Sequence, residues 1–254
     1  MIGFRGRAAH VLRRNTNALK RQRNALFSPT GKGGPPQPPH RSMARGSSGH
    51  GWYKQYEESG PESFVQYNPP TAFDWTRSGK TCGAYFDVRI GEELQGRIEM
   101  QLLEQLLPVT VGNFKALCTG ENPRGFCYTG TIMHHIVKGA AVVGGDVEMK
   151  GGQASHSAGL HGEAANGGEG RYFADEALLL PHTEEGILSM VNGGVDTNGS
   201  QFYITTAPAP HLDGYSVAFG RVVNGMDVVR KISKVFSIRG RPVESIVISA
   251  AGLC

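Results

Sequence analysis

Two short apolar runs held apart by a polar, glycine-rich connection constrain this chain more than any other feature. The stretch is Gly186–Thr206, GILSMVNGGVDTNGSQFYITT. Ile187–Val191 and Phe202–Thr205 are short and carry β-branched or aromatic residues, so each is predicted as a strand. Between them, Asn192-Gly193-Gly194, Asp196 and Asn198-Gly199 supply turn chemistry. Asn192, Asn198 and Gln201 sit at strand ends or in the turn, and each amide both donates and accepts hydrogen bonds. That set suits recognition of a peptide backbone, so the residues alone point to a ligand groove in a β-protein.

The chain upstream divides by composition. Residues 1–56 hold eleven Lys or Arg and no Asp or Glu, whereas residues 57–254 carry 15 basic and 22 acidic residues. The basic character therefore belongs to an arm. Within residues 1–28, Phe4, Ala8, Val11, Leu12, Ala18, Leu19, Ala25 and Leu26 gather on one broad helical face among arginines. This is the pattern of a mitochondrial transit peptide, although serine is sparse. An arm retained on RNA or protein is the second reading, and an uninformative tail the third. Residues 29–51 are a Pro/Gly/Ser-rich linker that cannot build a core. Residues 52–82 are dense in aromatics (Trp52, Tyr53, Tyr56, Phe64, Tyr67, Phe73, Trp75) without helical or strand period, which suggests an extended segment wrapped on its own domain or on a partner. No apolar run is long enough to predict a transmembrane segment. The four cysteines show no metal spacing and are expected as reduced thiols.

Residues 83–254 are predicted to form the globular domain. Ala84–Ile90 and Arg97–Leu103 alternate and read as a strand pair joined around Gly91–Gly96. Pro108–Cys118 reads as a helix with proline in its first turn. Strands are expected at Thr131–Val137, Ala140–Val143, Ile187–Val191, Gln201–Thr206, Val217–Val223 and Val243–Ala250. A long polar loop is expected at Glu148–Arg171. Met226–Lys234 is predicted as a second helix, with Asn224 a candidate cap and Lys231 and Lys234 near its C-terminus. Many strands and two helices suggest an antiparallel barrel with helices at its ends.

The stretch Gly-Ile-Leu-Ser-Met-Val-Asn followed by Thr-Asn-Gly-Ser-Gln-Phe-Tyr-Ile resembles the signature of the cyclophilin family of peptidyl-prolyl cis-trans isomerases. Further landmarks are Tyr85-Phe86-Asp87, Thr119-Gly120-Glu121, Gly144-Gly145-Asp146, Phe173-Ala174-Asp175-Glu176 and Leu212-Asp213-Gly214. The resemblance spans about Gly83 to Cys254. It implies a mainly β fold, a closed eight-stranded antiparallel barrel capped by two helices, here with a long N-terminal extension.

An X–Pro bond isomerises over a barrier of roughly 18–20 kcal/mol because its amide is conjugated. Catalysis needs an apolar pocket for the ring, amides to hold the flanking backbone, and a donor aimed at the twisting amide. A permanently charged arginine suits the last role. The resemblance places that arginine at position 135, where this chain has His135. It places a phenylalanine at Ala140, a methionine at Ala141, a glutamine at Val143, a tryptophan at His211 and a histidine at Ser216. Asn192, Gln201, Tyr203 (for phenylalanine) and Leu212 stay recognisable, completing the expected peptide groove. These substitutions gather in one site, so little or no isomerase activity is expected.

No cofactor is expected. His134, His135, His156 and His161 lack the spacing of a metal site. No nucleic-acid motif stands out within residues 83–254. The leading expectation is a catalytically decayed cyclophilin-like domain serving as a structural or interaction subunit of a large mitochondrial assembly, with a ribosome one candidate. Its partners would be protein subunits, and RNA through residues 1–56. An active organellar isomerase is the alternative, and a peptide-binding chaperone the third reading. Cytoplasmic or cytoskeletal placement is the alternative to the mitochondrion.

Overall fold

The computed structural model describes residues 82–160, 171–178 and 180–254. Segments 1–28 and 29–51, nearly all of 52–82, and His161 lie outside the described residues.

Strands β1 (Cys82–Ile90) and β2 (Glu93–Leu102) form the first hairpin. The two-residue period predicted for them is real. Ala84, Phe86 and Val88 are fully buried, as are Ile98 and Leu102, while Asp87 and Arg97 pair on the outer face at 2.7 Å. The connection is tighter than expected, because Gly91, at φ 56, turns the chain almost at once. Helix α1 spans Pro108–Thr119, with proline in its first turn as predicted. No side chain of its own caps it. Instead the Glu176 carboxylate accepts Val109 N–H at 3.0 Å and Thr110 N–H at 2.8 Å. A distant anion thus satisfies orphan donors at the positive end of the helix.

Next come β3 (His135–Val137), β4 (Ala141–Gly144), β5 (Ile187–Met190), β6 (Phe202–Thr205) and β7 (Ala218–Asn224). A 3₁₀ turn at Pro210–Leu212 precedes β7. Helix α2 (Met226–Lys234) follows, with the predicted boundaries and with Lys231 and Lys234 in its last turn. Its N-cap is Gly225 rather than Asn224, in the left-handed region at φ 86. Asn224 Oδ1 accepts the Gly225 N–H and does not reach into the helix. A small hairpin, β8 (Ser237–Ile238) and β9 (Arg241–Pro242), was not anticipated. The last strand, β10, runs Ile246–Leu253, three residues later than predicted at both ends.

Eight strands form one curled antiparallel sheet in the order β10-β1-β2-β7-β5-β6-β4-β3. The expected closed barrel is not formed: β3 and β10 stand at the two ends of an open ladder. The stretch before β3 does approach β10, through Gly130 N–H to Ile248 O at 2.8 Å and Met133 N–H to Ile246 O at 2.8 Å. Ile132 and Val247 make a single bridge there. Thr131 N–H, however, turns back to Tyr128 O at 3.0 Å. β3 then begins only at His135, so no continuous ladder joins the ends.

The concave face packs around Phe86, Phe114, Tyr128, Phe202 and Phe219, whose ring centroids lie 5.0 to 5.8 Å apart. Each such buried side chain contributes about 1.5–3 kcal/mol. β3, β4, β5 and β6 are buried on both faces. Their convex face carries a second, smaller cluster of Val137, Ala140, Ala141, Val143, Val191, Tyr203, Ala209, Leu212 and Tyr215.

Candidate functional site

This second cluster is where half of the predicted site residues meet: Ala140, Ala141, Val143, Tyr203 and Leu212. Strand register makes the meeting unavoidable. His135 pairs with Val143, Val143 with Tyr203, and Tyr203 with Ser189, so four strands lay these residues in one row. The next row holds Val137, Ala141 and Thr205. Ala140 closes the β3–β4 turn, its N–H on Val137 O at 3.0 Å. Leu212 packs onto this surface from the 3₁₀ turn. Its carbonyl accepts the N–H groups of Tyr215 (3.0 Å) and Ser216 (3.2 Å), which fixes the loop that carries Ser216.

The three amides singled out for a peptide backbone donate to this chain's own loops. Asn192 Nδ2 donates to Tyr215 O at 2.9 Å. Gln201 Nε2 donates to Gly152 O at 2.9 Å and Ala154 O at 2.7 Å. Asn198 likewise donates to Phe173 O and to Asp175 Oδ1, at 3.3 and 3.0 Å.

Behind Tyr203 lies a polar frame that the sequence did not flag as functional. Asp213 Oδ1 accepts the backbone N–H of His182 at 2.7 Å and sits 2.8 Å from its Nδ1. A carboxylate only accepts, so Nδ1 carries a proton, and Nε2 on the far side of the ring lies 3.0 Å from the Tyr203 hydroxyl. The two rings stack, with centroids 5.9 Å apart. Of the pair, Asp213 stands within the landmark Leu212-Asp213-Gly214, with no functional role attached to it. Their spacing of 31 residues gives no local signal of a pair.

All ten predicted site residues are buried. The most accessible, His135 and His211, are each 8 % exposed, and Ala141, Val143, Gln201, Tyr203 and Leu212 are fully inaccessible. None of the ten carries a permanent positive charge. Burial, and then the neighbouring His182, push the His211 imidazole down to about 4, against the pull of Asp213.

The family model for the cyclophilin type peptidyl-prolyl cis-trans isomerase matches residues 85–253, more than half of the chain. The chain belongs to this family. The described cyclophilin-like domain thus runs from β1 to β10, and the matched residues include every predicted site residue.

The remaining histidines stand apart. His134 precedes β3 and is buried, its ring hard against Gly152. His156 lies on the loop after β4, where its Nε2 is 2.7 Å from a Glu148 oxygen and its Nδ1 3.3 Å from Arg124 Nη1. Burial first, and then Arg171, hold the His156 pKa below its ordinary value. Among the described residues, no three of His, Cys, Asp and Glu come together as metal ligands. Cys118, Cys127 and Cys254 carry free thiols.

Proposed function

We propose that this cyclophilin-like domain has lost prolyl isomerisation and serves as an interaction or structural subunit of a large mitochondrial assembly, a mitochondrial ribosome being one candidate. The observation that carries the loss of activity is the setting of His135. It occupies the position of the family's arginine, 8 % exposed, in a row with Val143 and Tyr203 that offers no permanent charge to a twisting amide. Losing one such donor costs about 100–1000-fold in rate. Ala140 and Ala141 stand where large pocket walls are expected, and the groove amides Asn192 and Gln201 are spent on internal loops.

The mitochondrial placement is supported by the acid-free, arginine-rich residues 1–28, and the tether to an assembly by the same arm with the aromatic residues that follow. RNA contact through residues 1–56 belongs to the same proposal.

The test is a proline-isomerisation assay on the full chain with an X–Pro peptide. Rates near the uncatalysed one are expected; rates near those of intact cyclophilins would overturn the loss of activity. Sedimentation from lysed mitochondria, with and without ribonuclease, tests the assembly separately. Migration with a large particle is expected, and migration as a free domain-sized species would overturn it.

A further inference from the structure

The end of α2 and the β8–β9 hairpin together carry a run of cations, and the hairpin bears three strongly exposed apolar side chains. Residues 230–241, RKISKVFSIRGR, hold five of the 15 basic residues that follow position 56, and no acid. Arg230 is tied to Glu185. Lys231, Lys234, Arg239 and Arg241 are in no ion pair among the described residues and face solvent.

The hairpin geometry sorts its side chains by face. Ser237 pairs with Pro242 and Ile238 with Arg241, and the Val243 N–H extends the ladder to Phe236 O at 2.9 Å. Alternation therefore puts Phe236, Ile238, Arg241 and Val243 on one face and Ser237 and Pro242 on the other. Ser237 is buried, whereas Phe236, Ile238 and Val243 are 69, 61 and 60 % exposed. The hairpin is held in place rather than free, because Ile136 of β3 donates its N–H to Gly240 O at 2.7 Å. Arg241 also borders a cavity of about 220 Å³, lined by Met133, His134, Pro242, Glu244, Ser245 and Ile246. Three large apolar side chains share one face with Arg241, with Arg239 in the turn and a cavity of mixed lining beside Arg241, so the surface has both an anchor and a charge preference.

We infer that this face docks an acidic protein segment bearing aliphatic or aromatic side chains, one of which enters the cavity beside Arg241. The inference goes beyond the fate of the isomerase site and holds whether or not that site turns over. Charge complementarity sets the sign: residues 230–241 hold five bases and no acid, against the exposed Glu244 beside Arg241, and in a domain otherwise rich in acids this balance selects an acidic partner. Apolar content sets the class. Ile238, Val243, Pro242 and Ile246 are aliphatic and offer no stacking plane to a nucleotide base, so a polypeptide with apolar side chains uses more of this surface than RNA does.

The test uses the full chain and a fluorescein-labelled peptide in which glutamate alternates with leucine and phenylalanine, followed by anisotropy. Control probes are the same peptide with lysine for glutamate, a single-stranded oligouridine, and anionic phospholipid vesicles. The acidic apolar peptide is expected to bind, and added salt to weaken it. F236S/I238S and, separately, R239E/R241E are each expected to weaken it about tenfold or more. All four positions are exposed, so thermal unfolding of both variants should match the parent; if one variant misfolds, the other decides. Failure of the acidic peptide to bind would overturn the proposal. So would equal binding of the lysine peptide, unchanged affinity in the folded variants, or binding of only RNA or vesicles through these residues.

Discussion

Replacing His211 with glutamine should remove a defined part of the acid sensitivity of this fold. His211 is nearly inaccessible, and burial together with His182 holds its folded pKa at about 4. In the unfolded chain a histidine titrates near 6.5. The folded value is the lower one, so between these pH values the unfolded state binds the extra proton, and stability falls as pH drops below about 6.5. At pH 4.5 the difference amounts to about 2.5 kcal/mol, and it levels off near 3.4 kcal/mol once pH passes below the folded pKa of about 4. Glutamine does not titrate, so His211→Gln lacks this term while keeping the other ionisable groups. The assay is urea unfolding of parent and variant at half-unit steps from pH 7.5 to 4.5. The stability of the parent relative to the variant should be flat above pH 7 and then decline by about 2.5 kcal/mol. A difference independent of pH across that range would refute the reasoning, as would a relative gain for the parent in acid.

Three substitutions probe long-range contacts, one in the frame behind Tyr203 and two elsewhere in the fold. Tyr203→Phe strips the hydroxyl from His182 Nε2 in a fully buried setting and should cost about 1–2 kcal/mol by denaturant unfolding. Asn113 donates to Gly199 O at 2.9 Å and accepts Ala158 N–H at 2.7 Å. Asn113→Ala should therefore cost about 2–4 kcal/mol and selectively speed hydrogen exchange at the Ala158 amide. Gly225→Ala would set a Cβ 2.1 Å from Arg97 O at φ 86, so it should destabilise by about 2 kcal/mol or more, read as a lowered unfolding midpoint.

Much of the scaffold was legible because local chemistry specifies it. Alternation in β1 and β2, proline at the start of α1 and the lysines in the last turn of α2 all act within a few residues of one another. The motif between Gly186 and Thr206 located β5 and β6, and the resemblance it carried pointed to the family. What escaped notice was local but too short to show a period. The β8–β9 hairpin has two residues per strand, and its turn is an Arg239-Gly240 pair with both φ values positive, at 50 and 76. Strands β3 to β6 hid their faces for a different cause: with both sides buried, VVG, ILSM and FYIT show no alternation that tells the main core from the convex cluster.

The sequence by itself determined which residue types could meet: a histidine at 135, alanines at 140 and 141, amides at 192 and 201, and a cationic stretch from 230 to 241. Only the tertiary structure decided what those groups do. Register across β3, β4 and β6 put His135, Val143 and Tyr203 in one row. Loop closure turned Asn192 and Gln201 inward, and a partner 31 residues away oriented His182. The same long-range logic made Glu176 the cap of α1 and left the sheet open between β3 and β10. Hydrogen-bond partners across such separations are chosen by packing and by the cost of burying unpaired polar groups, neither of which a run of neighbouring residues encodes.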